Sequence, residues 1–371
     1  MTDFTSRLKS LTAEPSRDTP DDAARLSRVE RTRTEFFGQG AAIRQTLAEA
    51  AAPLSALSAA LEGRALTRIV VAGCGDSWFA GVAMRHALET VTGLPVEGAQ
   101  ALDFACYGAR AGGSGTLCIG ISSGGNTPAV MGALRAARER GAYCVGISNT
   151  EDSPILTEFD AALMVRATRK GWPTQSTNAT MALLVALGHA VAPACAAGEA
   201  LKAELATLPA IIDRVSAELD APVAALAERW AIRDLVLFTG LGPNFAAAAI
   251  GAAKLRELSP VHAFALPLEE YHHYRSQKAG DPIVLVASDE ASLERALDTA
   301  LVAEHVGGPL LAILSQAAPD IESRAEAVVR LPKTSAALAP MLSILPLHLL
   351  AYHFAVARAA RGLGAPARAA A

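Results

Sequence analysis

One local pattern recurs along the chain and limits the folds that it can adopt. A β-branched run at residues 68–72 ends in the turn Gly73-Cys74-Gly75-Asp76-Ser77, and helical spacing follows at residues 79–91. The same order returns as an apolar run at 117–121, a Ser- and Gly-rich loop at 122–127 and a helical segment at 129–140. A third strand is predicted at 143–147. Strands that alternate with helices predict a parallel sheet with helices on both faces, an α/β fold.

The second half of the chain repeats this pattern at a nearly constant offset. The stretch 234–240, with the apolar run 235–238, leads into a glycine turn in which Gly240 lies 167 residues after Gly73. The next predicted strand ends at Ser288, which lies 166 residues after Ser122. An internal duplication explains both spacings. We therefore predict two tandem, doubly wound parallel-sheet subdomains with flanking helices.

The predicted boundaries follow the changes in pattern. Residues 1–35 are polar with little apolar periodicity, and indicate a mobile arm or a loosely packed first helix. Residues 36–200 form the first predicted subdomain, led by a helical pair within 35–61. Residues 201–371 form the second, with a helix at 201–219, a C-terminal helix and a tail.

Composition excludes several classes of protein. Of the 371 residues, 51% are hydrophobic and 19% charged, which suits large buried cores. A formal charge of -4 gives no basic field for nucleic acid, so we expect no such partner. Five cysteines without a C-x-x-C pair indicate neither a disulfide framework nor a zinc cluster, and fit a reducing cytoplasm. The polar amino terminus predicts no export signal.

One segment resembles a membrane span in composition. Residues 174–198 contain no Asp, Glu, Lys or Arg. However, the segment opens with a polar string and carries His189 and Pro193, so its continuous apolar run is shorter than the ~20 residues that a span needs. We predict a buried helix there and no membrane partner.

The two polar turns of the first half are candidates for an anion site. Hydroxyls, unhindered backbone N–H groups and a helix N-terminus together suit a phosphate, and both turns are expected at the carboxyl edge of the sheet. Either turn alone is as well explained by tight-turn geometry. No G-K-[ST] or G-x-G-x-x-G motif is present, which argues against a P-loop ATPase and gives little support to a dinucleotide fold. The candidate phosphate-binding residues are Cys74, Gly75, Ser77, Ser122, Ser123, Gly125, Asn126 and Thr127.

A resemblance to a known family extends this hypothesis. The turn 73–77, the loop 122–127, Gln175-Ser176-Thr177, Lys254-Leu255-Arg256-Glu257 and the stretch 347–353 (LHLLAYH) occur in the order seen in double sugar-isomerase (SIS) proteins. The resemblance covers about residues 35–362 and is strongest to the isomerase half of glucosamine-6-phosphate synthase, with related ketosamine-phosphate deaminases and deglycases. With no glutaminase domain or amino-terminal cysteine before it, we expect no release of ammonia from glutamine.

The resemblance also implies roles for single residues. Ser77, Ser122, Ser123 and Thr127 fall where the family holds the sugar phosphate, and Ser176 and Thr177 where it closes over the sugar. Glu257 falls on the carboxylate that moves a proton between C1 and C2, with Lys254 beside it. His273, 16 residues after Glu257, falls on the ring-opening histidine, which the family donates across a dimer interface. A homodimer and a small sugar phosphate are the partners implied, with no cofactor.

Proton transfer on a sugar places demands on the residues that do not depend on the family. Proton transfer next to a carbonyl or imine needs a carboxylate in a dry pocket, where its pKa rises, and ring opening needs an acid such as histidine. Without the neighbouring motifs, a surface ion pair to Arg256 or Lys254 would explain Glu257 better than catalysis does. The alternative for His272 and His273 is a solvated loop. The cluster Glu269-Glu270-Tyr271-His272-His273 gathers carboxylates and imidazoles, which are possible metal ligands. Because adjacent residues cannot easily bind the same ion, we predict no metal site there.

Departures from the family leave the substrate open. Gly124 stands where the family commonly has Ser, Asn178 where the synthase has Lys, and the tail 362–371 has no lysine. His273-Tyr274-Arg275 replaces the usual H-G-P. We predict an isomerase-type enzyme acting on an amino-sugar or ketosamine phosphate, with release of ammonia or a larger amine; the alternative is a non-catalytic sugar-phosphate sensor.

Overall fold

A computed structural model describes residue 6, residues 23–192 and residues 195–363. Most of the proposed arm, residues 1–5 and 7–22, and the tail from residue 364 lie outside the described residues. The last part of the arm is a helix, α1 (Ala23–Phe36), with Val29, Thr32 and Glu35 buried. This favours the packed first helix over the mobile arm for these residues. The following helix, α2 (Gln39–Leu61), is continuous and contains Pro53.

The first half forms a five-stranded parallel sheet with helices on both faces. The strands lie in the order β2-β1-β3-β4-β5, so the chain reverses direction of winding at β1 and β3. The elements are β1 (Arg68–Gly73), α3 (Asp76–Thr92), β2 (Val96–Gln100), α4 (Ala101–Cys106), β3 (Thr116–Ile121), α5 (Pro128–Glu139), β4 (Tyr143–Ser148), α6 (Pro154–Thr157), β5 (Ala161–Met164) and α7 (Gln175–Val191).

A long helix joins the halves. Helix α8 (Ala196–Trp230) begins before the predicted boundary at 200/201 and extends past the predicted end of its helix at residue 219. The elements that follow are β6 (Leu235–Gly240), α9 (Pro243–Leu258), β7 (His262–Pro267), α10 (Leu268–His273), β8 (Ile283–Ala287), α11 (Leu293–His305), β9 (Leu310–Leu314), α12 (Pro319–Glu322), β10 (Ala327–Arg330) and α13 (Ala339–Ala360). Short 3₁₀ helices lie at Gly108–Ala111 and Glu290–Ser292.

The two sheets have the same topology. The second sheet, read from β7, runs β7-β6-β8-β9-β10, which matches the first strand for strand. The turns after β1 and β6 also agree, since Gly75 has φ 57° and ψ -132° and Gly242 has φ 54° and ψ -122°. Only glycine adopts this backbone conformation readily. The duplication and the fold class predicted from the sequence are therefore confirmed.

The main core lies between the sheets. In β1, Ile69 and Val71 face this core while Val70 and Ala72 face a smaller core on the outer side, as the alternation of strand side chains requires. Helices α3 and α9, which are equivalent in the two halves, pack against each other in the middle. The first turn of α3 and the last turn of α9 consequently meet near the carboxyl edge of the first sheet.

Two apolar helices are buried in this core. Helix α7 lies within residues 174–198, the segment that resembles a membrane span in composition. It has 13 buried residues from Gln175 to Gly188. Among the described residues, Ala339–Ala360 alone has the length and composition to cross a membrane, and 89% of its most apolar window is buried inside the protein.

Candidate active site

A cavity of about 220 Å³ lies at the carboxyl edge of the first sheet. Its walls come from the turn after β1, the loop after β3, the segment before α7 and the last turn of α9. The lining residues are Cys74, Gly75, Asp76, Ser77, Ile121, Ser122, Ser123, Gly124, Thr127, Arg169, Pro173 and Glu257. The edge of the sheet at its switch in winding direction is the usual ligand crevice of an open α/β fold.

The loop 122–127 presents hydroxyl groups at the N-terminus of α5. The Ser122 and Thr127 hydroxyls lie 2.8 Å apart, and the backbone N–H of Thr127 points to Ser122 Oγ at 3.3 Å. Gly125, at φ 72°, closes the turn by donating to the Ser122 carbonyl at 2.9 Å. This arrangement of hydroxyls at a positive helix end suits a phosphate group.

Not every predicted phosphate residue lines this cavity. Gly125 is buried against Ser153, and Asn126 is exposed beside the loop. Ser176 and Thr177 lie in an adjoining small cavity, which shares Asp76, Ser77, Ser123 and Pro173 with the larger one. The Ser176 hydroxyl is buried and has no hydrogen-bond partner among the described residues.

The opposite wall carries a buried chain of charges. Lys254, with 1% of its side chain exposed, donates to Asp76 Oδ2 at 2.7 Å and contacts Glu257 Oε2. Thr177 Oγ1 donates to the same Asp76 oxygen at 3.0 Å. Helices α3, α7 and α9 are thus joined at one point. Glu257 keeps 39% of its side-chain surface exposed, on the cavity side.

The surroundings shift the proton affinity of both groups. Burial raises the pKa of Glu257, and the ammonium of Lys254 opposes this rise without cancelling it. Burial disfavours the Lys254 ammonium, but the carboxylates of Asp76 and Glu257 outweigh burial, so the pKa of Lys254 is raised. The site therefore holds a fixed cation beside a carboxylate whose proton affinity lies above the ordinary value, as a general base requires.

The third predicted catalytic residue lies elsewhere. His273, at the end of α10, is exposed, and its ring packs edge-on against Tyr274 at 5.2 Å. It does not line the cavity of its own chain. Among the described residues, no group of three or more His, Cys, Asp or Glu side chains is placed to hold a metal ion.

Sequence reasoning missed two of the three charged residues that line the cavity. The sequence marks Asp76 only as part of a turn, although its carboxylate pairs with Lys254. No sequence motif includes Arg169, although it lines the cavity next to Gly124. Lys254 lies on an apolar helix, and a lysine buried there needs carboxylate partners, so the sequence could have suggested a second one besides Glu257. No local signal places residue 169 near residue 124.

The equivalent loop of the second half is occupied by its own side chains. Ser288 Oγ donates to Asn244 Oδ1 at 2.5 Å, and Asn244 Nδ2 donates to Asp289 Oδ2 at 2.6 Å. Asp289 also accepts from the backbone N–H of Ser292 at 2.9 Å. Two donors that a phosphate could use here, the Ser292 N–H and the Asn244 amide, are consequently already paired with a carboxylate.

Comparison with known proteins gives a consistent result. The SIS domain family matches residues 65–190 and 233–358. The chain is 32% identical over 310 residues to a glutamine--fructose-6-phosphate aminotransferase [isomerizing] of Thermus thermophilus, which covers 81% of this chain and 51% of the relative. A protein of the same name from Chlorobaculum tepidum is 31% identical over 78% of this chain and 48% of its own length. The chain thus spans about half the length of these curated relatives.

Solved structures share the fold. The C-terminal domain of glucosamine-fructose-6-phosphate aminotransferase from Francisella tularensis superposes with a TM-score of 0.74 at 22% identity, covering 88% of this chain and 96% of that domain. The tagatose-6-phosphate ketose/aldose isomerase from Escherichia coli gives 0.72 at 20% identity, covering 89% and 92%. With both halves matched by the same family and the double-sheet topology shared, the chain belongs to the SIS domain family and carries two copies of that domain.

Proposed function

We propose that the protein is a phosphosugar-binding enzyme that moves a proton between adjacent carbons of an amino-sugar or ketosamine phosphate. The observation that carries this proposal is that Glu257, held by Lys254, lines the same cavity as the hydroxyl loop 122–127. A phosphate on that loop would leave the sugar carbons facing the carboxylate. The printed names of the relatives, an isomerizing aminotransferase and a ketose/aldose isomerase, describe chemistry of this class.

The proposed reaction begins with the open-chain sugar. The Glu257 carboxylate takes the proton from the amine-bearing carbon, while the neighbouring carbonyl oxygen gains a proton, so an enaminol forms. A proton then returns to the former carbonyl carbon, which leaves a hydroxyl there and a C=N bond at the amine-bearing carbon. Water adds to this imine and the amine departs, as ammonia or as a larger amine. The Lys254 ammonium keeps the carboxylate oriented throughout.

The direction of amine release is part of the proposal. The cysteine that lines the cavity, Cys74, is no candidate nucleophile for taking ammonia from glutamine, because burial raises the pKa of its thiol. Glu257 and the hydroxyl loop suit substrates that already carry the C–N bond. Glucosamine 6-phosphate and phosphorylated ketosamines are the substrates to test.

Replacement of Glu257 by Gln tests the base directly. The amide keeps the shape of the side chain and removes the proton acceptor, so turnover of an active substrate should fall at least ~10²-fold while binding persists. Deuterium incorporation from D₂O at the carbon next to the carbonyl reports the same step. We expect exchange in the wild-type protein and almost none in the Glu257→Gln variant.

A matched control and two contrary results make the test decisive. Glu218→Gln removes an exposed carboxylate paired with Arg214 on α8, and should leave turnover and exchange unchanged. Full exchange in the Glu257→Gln variant would show that another residue is the base. Tight binding of sugar phosphates with no exchange in the wild-type protein would favour the non-catalytic sensor.

A further inference from the structure

Arg169 is a cation of the cavity wall to which no role has been given. Its guanidinium Nη1 lies 3.7 Å from the point that a Cβ would occupy at Gly124, so it faces the bare backbone of the loop 122–127. Among the described residues, it has neither an ion pair nor a hydrogen bond. Arg166, three residues earlier, is by contrast paired with Glu49 and Glu151. Arg169 therefore presents an uncompensated charge to the cavity.

The backbone that carries Arg169 is fixed by a buried carboxylate. Glu35 of α1 is 6% exposed, and its Oε1 accepts from Thr168 Oγ1 at 2.6 Å and from the backbone N–H of Lys170 at 2.7 Å. Its Oε2 accepts from the N–H of Gly171 at 3.0 Å. The residues on both sides of Arg169 are thus clamped to α1.

A second contact strengthens this clamp. Thr32, one turn before Glu35, accepts from the backbone N–H of Trp172 at 2.8 Å. The guanidinium of Arg28 lies 4.3 Å from the centre of the Trp172 ring. The segment 168–172 therefore has a fixed backbone even though the Arg169 side chain is exposed. A side chain on a fixed backbone loses less freedom when it binds a ligand.

The charges of the cavity show what this cation can bind. Asp76 and Glu257 bring two carboxylates, and the buried Lys254 lies between them, committed to both. A dianionic phosphate at the loop would then meet a surplus of negative charge from the opposite wall. A guanidinium beside the loop offsets that charge and offers paired N–H donors to phosphate oxygens.

We propose that Arg169 is a ligand of the substrate's phosphate group, and that Glu35 is the positioning residue that holds it beside the loop 122–127. The proposal rests on the proposed function and adds a cationic ligand to its phosphate site. It also gives α1, which precedes both SIS copies, a role in substrate binding through Glu35.

Calorimetric titration with inorganic phosphate and with glucosamine 6-phosphate tests the ligand role. In the Arg169→Gln variant, we expect the Kd of both probes to rise at least about tenfold, the effect of one lost charge-assisted hydrogen bond. The salt dependence of binding should weaken as well. The control is Arg140→Gln at the exposed C-terminal end of α5, away from the cavity, which should bind as the wild type does.

A double-mutant cycle tests the positioning role. If Glu35 acts through Arg169, Glu35→Gln should raise the Kd for phosphate at least about threefold in the wild-type background and not at all in the Arg169→Gln background. A merely structural loss would weaken binding equally in both backgrounds, and would refute the positioning role. The melting temperature of each variant identifies any loss of folding.

The results separate this inference from the function beneath it. An Arg169→Gln variant that binds both probes within twofold of a binding-competent wild type would overturn the role of Arg169 and leave the enzyme proposal standing. A wild-type protein that binds neither inorganic phosphate nor glucosamine 6-phosphate would overturn the proposed function, and this inference with it.

Discussion

Single buried residues connect the two halves of this protein. Lys254 belongs to the second SIS copy, yet its ammonium is held 2.7 Å from Asp76, which starts the first helix of the first copy. A buried ammonium is stable only when it is paired, and each half supplies one of its two carboxylate partners, Asp76 and Glu257. The candidate base, Glu257, is one helical turn further on and is oriented by the same cation. The candidate site therefore forms where the two SIS copies contact each other.

His348 predicts how stability depends on pH. This residue of α13 is 2% exposed, and neither ring nitrogen has a hydrogen-bond partner among the described residues. Burial, followed by the charge of Lys254, lowers its pKa well below the ordinary value. The folded protein thus keeps His348 neutral, while the unfolded chain takes up a proton below pH ~6.5. The folded state should lose stability as the pH falls through that value.

Replacement of His348 by Leu removes this contribution. Between pH 7.5 and 5.5, we expect the variant to lose about 1 kcal/mol less unfolding free energy than the wild type does. Urea titrations at both pH values measure the difference. His86→Leu, at an exposed position of α3, is the control and should retain the wild-type pH dependence. Equal pH dependence in His348→Leu and the wild type would show that His348 does not titrate on unfolding.

At the scale of elements, the two copies differ in one loop. The first copy offers Ser122 and Thr127 hydroxyls at the start of α5, whereas the second fills the equivalent place with Asp289 and Asn244. A carboxylate at that place repels phosphate, and the donors beside it are already used. We therefore predict one phosphate site per chain, in the first copy.

Removal of the two hydroxyls tests this asymmetry. The Ser122→Ala/Thr127→Ala variant should show a Kd or KM for the phosphorylated ligand more than about tenfold above that of the wild type, and inhibition by phosphate should weaken equally. Ser58→Ala/Thr207→Ala removes two hydroxyls from exposed positions of α2 and α8, and should have no effect. Unchanged phosphate inhibition in the Ser122→Ala/Thr127→Ala variant would contradict the prediction.

The same scale shows what sequence patterns could and could not predict. Apolar runs such as 68–72 and 283–287 are buried on both faces in parallel sheets and predict strands correctly. The sequence analysis did not identify β2 (Val96–Gln100), which has no apolar run, nor β9 (Leu310–Leu314), which has one. Helix α8 was predicted to end before Pro222, yet it continues to Trp230, because its buried face packs against α13 and outweighs the lost hydrogen bond.

The candidate site was only partly predictable for a related reason. The loop 122–127 and Glu257 carry local motifs, so their residues could be named in advance. Arg169 reaches the cavity because Glu35, more than 130 residues earlier, clamps its backbone. Such a contact depends on the packing of α1 against α13, which belongs to the second half, and no periodicity or motif reports it. His273 shows the converse, since its motif position suggested the site while the fold of one chain leaves it outside.

The whole molecule is expected to work as a homodimer. The cavity of one chain contains a candidate base and phosphate ligands, but His273, the predicted acid for ring opening, lies exposed outside it. A second chain could supply this residue, which would place one acid and one base in each shared site. Sedimentation should then give a dimer of the 38.3 kDa chain. A fully active monomer would contradict the prediction.

Mixing two inactive variants distinguishes a shared site from a self-contained one. Glu257→Gln and His273→Asn each disable one member of the predicted pair, so each homodimer should be impaired with a cyclic substrate. If His273 crosses the interface, every mixed dimer regains one intact site, and an equal mixture should recover about a quarter of wild-type activity after subunit exchange. If His273 serves its own chain, each of the two sites in a mixed dimer carries one substitution, and the mixture recovers no activity.

An open-chain substrate needs little acid for ring opening, so the His273→Asn variant should regain activity with such a substrate, whereas the Glu257→Gln variant should not.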